Sequence, residues 1–535
     1  MIKRNSVIMS NKPPKLPSDC IEEILKILND NGERSSLHSW ILVNRSLGQV
    51  AISLLWSNPF DQILLENQSR SHLLIETYLS CLDKEKRQIL LDEGLDIPLK
   101  SSLFDYPIFL KKLHIEVLQL SLIQWWTNNT TYRIRNKANF STLDAVLSEL
   151  LINKCNGLRL LSFDTHINAD FASFSGIQNT ICSLKEFRIN CGCPDHSGYL
   201  ANLLSLIIEN SQRIINLVVT PHDDGAITCQ IPRLIEAQTN LERFSMIYSF
   251  AGSFQPNRSA SIYSALTSQK HSLTHADFRK IYIDPNSLQI LAKCNKLRSL
   301  YFVNCQQEQD ITLCDSLIQL PITKLVLNNS LGKNSLTTTT CTSIVMMAAS
   351  TLVELAIDYL TPEVVEIINT QIPNLNSLAI RTTPLPLLNF ISHSTIEHLA
   401  LSDFGTKSNL FSITVLQQLG RLLPTTLKHL QLECRYNVAP ESLTALLEEC
   451  KAPLEIISLD VEIFDDTLLE VIADYARETG KRLKELRIGK DTKIEYDGEL
   501  CKKLMTVISS INQDYVDSWP VLIERRDPLW KDLDS

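Results

Sequence analysis

The chain has no strongly basic segment. Its 51 lysines and arginines stand against 60 aspartates and glutamates, giving a formal net charge of −9 and a pI of about 5.7. General nucleic-acid binding needs a cationic footprint and is not expected. No uncharged stretch approaches the ~20 residues that span a bilayer. The weakly positive opening, MIKRNSVIMSNKPPK, has no long apolar run behind it, so neither a membrane span nor a secretory signal is expected. There are fourteen cysteines but no CxxC pair. Cys191 and Cys193, in CGCPDH with His196, lack a second ligand pair at zinc spacing. Without a leader, a disulfide framework is not expected either. GxSxG, HExxH and GxGxxG are all missing, and the Gly-Lys pair of LGKNS (331–335) has Leu327 where a phosphate loop needs glycine. The chain is therefore expected to be no enzyme, with no cofactor, no metal site, no nucleic acid and no membrane. Its thiols should be free, in the cytoplasm and/or nucleus.

What the sequence does contain is a repeat. A 535-residue chain is too long for one compact core, so domains or a repeat array are expected. The pattern L-x-x-L-x-L, with apolar substitutes, begins with LKKLHI at 110 and returns as LRLLSF at 158, LKEFRI at 184 and IINLVV at 214. It continues with LERFSM at 241, LTHADF at 273, LRSLYF at 297, ITKLVL at 322, LVELAI at 352, LNSLAI at 375, IEHLAL at 396, LKHLQL at 427, LEIISL at 454 and LKELRI at 483. Between 158 and 483 the mean period is about 27 residues, inside the leucine-rich-repeat range.

Between the motifs lies helix-forming sequence. Thr361, Pro362 and Glu363 read as N-cap, first position and first turn of a helix over TPEVVEIINTQI. NSLQILAKC, ESLTALLEEC and DDTLLEVIADYARE carry apolar residues at three- and four-residue spacing. Strand–helix units cannot bury their apolar faces alone, and stacking makes one core. The expected fold is α/β: a curved solenoid with a parallel inner sheet and outer helices over 110–493. An insertion or irregular first repeat is expected between 115 and 158. Cys155, Cys294 and Cys450 fall where helices end, and Cys305 at the turn position where this repeat type favours Asn or Cys, so structural roles are expected.

Strand alternation turns the third and fifth motif positions to the inner face. At the fifth position Tyr301, Val326, Ala356, Ala379 and Ala400 form an uncharged strip, bordered at the third by Lys324, Glu354, His398 and His429. Such a strip can bind a protein substrate, or alanine can simply be harmless there. Lys111, Lys112, Arg159, Lys185, Arg188 and Arg243 cluster early in the array, suiting an acidic partner or a solvated face.

The segment from Leu16 to Phe60 is different. Ser18 or Asp19 can cap a helix whose Ile21, Ile24, Leu25 and Leu28 form one stripe. NDNGERSS breaks it, and a second helix is expected over LHSWILVNRSLGQVAISLLW, apolar around most of its circumference. So short a segment buries too little of its own surface. Part of its apolar surface must meet the repeats or another protein.

This segment resembles an F-box. The family's leading LP is Leu16-Pro17, its first-helix pattern Ile21, Ile24 and Leu25, its LVNR core Leu42 to Arg45, and its later apolar-Trp step Leu55-Trp56. With the repeats behind it, the chain resembles the fungal F-box proteins with C-terminal leucine-rich repeats. One departure is Leu47, where the family usually has Trp. The resemblance implies docking on a Skp-type adaptor and, through it, a cullin–RING ubiquitin ligase of the SCF type. Leu16, Pro17, Ile21, Ile24, Leu25, Leu42 and Val43 would carry the adaptor contact. The expected organisation is a flexible 1–14, an F-box-like 15–60, a helical linker 61–109, repeats over 110–493, and a C-terminal cap and tail over 494–535. Trp519 and Trp530 would pack on the last repeat. A leucine-rich-repeat scaffold or inhibitor, or an activator of a small GTPase, are the competing readings.

Overall fold

The computed structural model describes residues 18–30, 34–60, 70–95, 97, 102–129, 137–163, 169–190, 198–221, 227–248, 256–311, 319–328, 335–382, 385–402, 412–434, 438–479, 482–489, 492–495, 508 and 510–515. The chain divides into two compact units, Met1–Arg188 with Asp195–Ser211, and Ile189–Pro194 with Gln212–Ser535.

The first unit opens with three helices where two were expected: α1 (Ser18–Asp30), α2 (Arg34–Ile41) and α3 (Arg45–Leu55). The expected second helix breaks at Leu42–Asn44. Asn44 leaves the helical region (φ −164°, ψ 168°), and its Oδ1 accepts the Leu47 backbone N–H at 3.0 Å. A polar residue inside an apolar run reads as tolerated, but asparagine prefers to cap the next helix. The turn brings α3 tightly onto α2 at buried Gly48, where a Cβ would stand 3.0 Å from the Ile41 carbonyl oxygen.

Leu25, Leu37 and Leu55 form the core of this helical module, with Ile21, Leu28, Trp40, Ile41, Val50, Leu54 and Trp56 packed around them. The end of α3 is tied to the rest of the unit. The Trp56 ring lies 4.2 Å from that of Tyr106 and meets Tyr78 edge-on at 5.6 Å. The Ser57 carbonyl accepts the Lys111 and Lys112 N–H groups at 2.8 and 3.2 Å, just where the first strand of the sheet begins. The long interval after that strand holds two helices, Ile115–Asn129 and Lys137–Lys154, with Trp125 and Trp126 buried.

Each of the fourteen motif copies becomes a strand of one fifteen-stranded sheet whose order follows the sequence. Among the described residues, neighbouring strands of this sheet pair parallel and in register at the motif. In the second unit Leu300, Leu325, Leu355, Leu378 and Leu399 stand side by side, each buried. Helices return the chain between strands, and several of their starts are capped by a side chain. Thr361 Oγ1 accepts the Val364 N–H at 3.3 Å with Pro362 at the first position. Asp284 and Asp465 cap Pro285–Ala292 and Asp466–Glu478 in the same way. Buried motif leucines, parallel pairing and sequential order together make this a leucine-rich-repeat fold.

The thiols at the repeat joints are structural. Cys305 is fully buried and its Sγ donates to the Phe278 carbonyl at 3.2 Å, while Cys294 is buried and Cys155 Sγ donates to Ile152 at 3.4 Å. Cys191, Cys193 and His196 lie outside the described residues.

The C-terminal stretch departs from expectation. Ser510–Tyr515 adds a fifteenth strand beside Glu485–Gly489, although it carries no leucine motif, and Lys493–Glu495 pairs with Ile463–Asp465. A terminal strand has a neighbour on one side only, so it needs fewer apolar positions than an internal one. Trp519 and Trp530 lie outside the described residues.

Candidate functional site

Two surfaces need separate treatment, the N-terminal helices and the sheet face opposite the outer helices. On the first, α1 presents Ile24 and Ile27 at 40% and 53% exposure, and the α2–α3 turn presents Leu42 and Val43 at 86% and 61%. These side chains point away from the module's own core. Leu25, expected on the docking surface, is not there. It is completely buried against Leu37 and Leu55, because one position along a helix turns a side chain by about 100°. Ile21 is half-buried and packs on the same cluster. Leu16 and Pro17 lie outside the described residues. Ile27 was missed by sequence reading, although its i+3 spacing from Ile24 marks it as a neighbour on one face. Leu47 is half-buried at the start of α3, its N–H occupied by Asn44.

The strip on the sheet face forms as expected in register: Tyr301 beside Val326, then Ala356, Ala379 and Ala400 on successive strands. Its exposure does not follow. Val326, Ala356, Ala379 and Ala400 are 1%, 3%, 0% and 8% exposed and form a closed apolar cluster, with Tyr301 partly buried against it. The strip is therefore an interior layer of the folded chain and not an open docking surface. Small side chains on strands about 4.8 Å apart lie low between longer neighbours two residues away on either side.

Most of those neighbours are polar, and several pair with one another. Lys324 and Glu354 form a 3.0 Å ion pair across adjacent strands, and Arg381 lies 3.7 Å from Asp358 with both nearly buried. Asp277 takes Arg279 from the same strand, Nη2 to Oδ2 at 2.9 Å. His398 and His429 meet edge-on with ring centroids 5.6 Å apart. His429 Nε2 pairs with Ser458 Oγ at 2.8 Å, and His398 Nδ1 with Ser377 Oγ at 3.2 Å. Burial, helped by the positive charge of Arg487, holds the His429 imidazole down to about 3. Burial also lowers His398. Both rings are thus neutral at physiological pH and act as hydrogen-bonding spacers.

Among the described residues no group of three His, Cys, Asp or Glu side chains could hold a metal ion, and no helix is long and apolar enough to cross a membrane.

No protein-family model matches the sequence, and no curated protein matches it. Among solved structures, the crystal structure of the Rad7 and Elc1 complex in yeast contains a chain similar over 90% of this one and 95% of its own length, at 11% identity and a TM-score of 0.37. The leucine-rich-repeat assignment stands on this chain's own strand order and periodicity.

Proposed function

We propose that the chain is the substrate-recognition subunit of a cullin–RING ubiquitin ligase of the SCF type. Residues 15–60 dock a Skp-type adaptor, and the repeats hold a protein substrate. The observation that supports this reading is the division of labour in the N-terminal module. Leu25, Leu37 and Leu55 complete its core, yet Ile24, Ile27, Leu42 and Val43 remain exposed. A small module gains nothing from large exposed apolar side chains unless a partner removes them from water. The other end of the module is already engaged, through Trp56, Ser57 and Phe60, with its own unit. The free side is the one that carries the LVNR residues.

In this role the chain performs no chemistry. It contributes proximity, holding a substrate lysine near a charged ubiquitin carrier and raising its effective concentration. It acts in the cytoplasm and/or nucleus. The buried Tyr301–Ala400 strip is better suited to holding the sheet together than to substrate contact, so substrate binding falls to the more exposed third-position row that includes Arg243, His275, Lys324 and His398.

Co-expression of the full chain with a Skp-type adaptor tests the reading. A stoichiometric complex is expected, and Leu42→Asp with Val43→Asp should abolish it without changing the melting temperature. Failure of the wild-type chain to bind adaptor, or unchanged binding by the variant, would leave a leucine-rich-repeat scaffold acting outside any ligase.

A further inference from the structure

The residue before each strand, at the second motif position, forms a column along the sheet edge through backbone hydrogen bonds from rung to rung. In the second unit the last four rungs of the column read Glu397, Lys428, Glu455, Lys484, with N–H to carbonyl distances of 2.8, 2.7 and 2.7 Å. Its charges alternate and pair: Lys428 Nζ lies 2.9 Å from Glu397 and Lys484 Nζ 2.7 Å from Glu455. Opposite charges on neighbouring rungs stabilise a sheet, and like charges oppose it.

In the first unit the same column reads Lys111, Arg159, Lys185. The Arg159 N–H donates to the Lys111 carbonyl at 2.7 Å and the Lys185 N–H to the Arg159 carbonyl at 2.8 Å, so three cations occupy consecutive rungs about 4.8 Å apart. Arg159 and Lys185 are exposed and Lys111 is half-buried. Among the described residues no carboxylate pairs with any of the three. The nearest acid on the rung, Glu186, is taken by Arg188 at 2.7 Å. Lys111 Nζ donates to the Asn156 carbonyl. Burial, reinforced by the Arg159 charge, pushes the Lys111 ammonium down. Arg159 also acts against Lys26 of α1, whose charge Glu22 sustains. The column is thus uncompensated over Lys111–Arg159–Lys185 in the first unit and neutralised over Glu397–Lys428–Glu455–Lys484 in the second.

We propose that the Lys111–Arg159–Lys185 column is a binding site for an acidic peptide segment of a partner protein. Its spacing suits an extended chain lying across the strand ends, with carboxylates reaching successive rungs. The small extent of the site favours a peptide over nucleic acid: it offers three cationic rungs, not a broad cationic face. The site is independent of the ligase reading, since a chain that bound no adaptor could still bind here.

The test uses the full chain and a fluorescent deca-glutamate peptide at low and physiological salt. Binding that weakens with salt is expected. Arg159→Glu should weaken it by about fivefold or more, the size that follows from turning one exposed attraction into a repulsion. The same substitution creates a Lys–Glu–Lys column like the alternating one, so its melting temperature should equal or exceed that of the wild type. Lys185→Glu, at the exposed end, is read the same way, and Lys484→Gln should leave peptide binding unchanged. A loss smaller than fivefold in both charge reversals, equal weakening by Lys484→Gln, or tighter binding of a ten-nucleotide single-stranded DNA than of the peptide would each overturn the proposal.

Discussion

Leu25 and Leu42 separate folding from docking within one small module. Leu25→Ala removes three carbons from a fully enclosed site between Leu37 and Leu55. Such truncations cost about 2–5 kcal/mol of stability through lost burial and the cavity left behind. Leu42→Ala removes the same atoms from a side chain that is 86% exposed in the free protein. Stability should change by less than ~0.5 kcal/mol. In the adaptor complex those carbons leave water, at roughly 0.8 kcal/mol each. The loss is about 2 kcal/mol of binding, or about thirtyfold in Kd. Urea denaturation and calorimetric titration with purified adaptor read the two quantities separately. A Leu42→Ala chain that unfolds earlier than wild type, or that binds adaptor as tightly, would refute the division between core and contact.

Other outcomes follow from the same geometry. Gly420→Ala would place a Cβ 2.4 Å from the Leu446 carbonyl oxygen and 3.1 Å from Glu449 Cβ, forcing Ile413–Leu422 and Pro440–Glu449 apart. A thermal melt should show a loss of about 1–3 kcal/mol. Burial pushes Cys305 up to about 12 and Cys294 to about 11, so both remain protonated at pH 8. Iodoacetamide should modify exposed Cys20, Cys182 and Cys229 first and reach Cys305 only on unfolding; early labelling of Cys305 would contradict its burial. His429 is held to about 3 against an ordinary 6.5. Below pH 6.5 the unfolded chain takes up a proton that the folded chain refuses, so this contribution is complete above pH 6.5 and declines as pH falls toward 3. The expected loss at pH 5 is on the order of 2 kcal/mol, and His429→Gln should flatten it in urea titrations at pH 7 and 5.

The repeat was legible because each leucine of L-x-x-L-x-L has one destination, the layer between sheet and helices, and that constraint recurs every turn. Thr361-Pro362 was equally plain, since capping is local chemistry. The helix break at Asn44 was hidden because an apolar run continues on both sides of it. Ile24 and Leu25 could not be separated by type: both are large and aliphatic, and only the packing of α1 on Leu37 and Leu55 says which one faces inward. For Ala356, Ala379 and Ala400, strand alternation gave the correct side of the sheet, but accessibility depends on what lies around them, which alternation does not encode. The Ser510–Tyr515 strand was illegible because it pairs through backbone and lacks the leucines that announce the others.

Hydrogen–deuterium exchange of the full chain, with and without a Skp-type adaptor, tests the central claim most directly. Adaptor docking predicts slowed exchange in α1 and across the α2–α3 turn at Leu42 to Leu47, with no change at the Trp56–Ser57 end. Unaltered exchange at Leu42 and Val43 under saturating adaptor would contradict it.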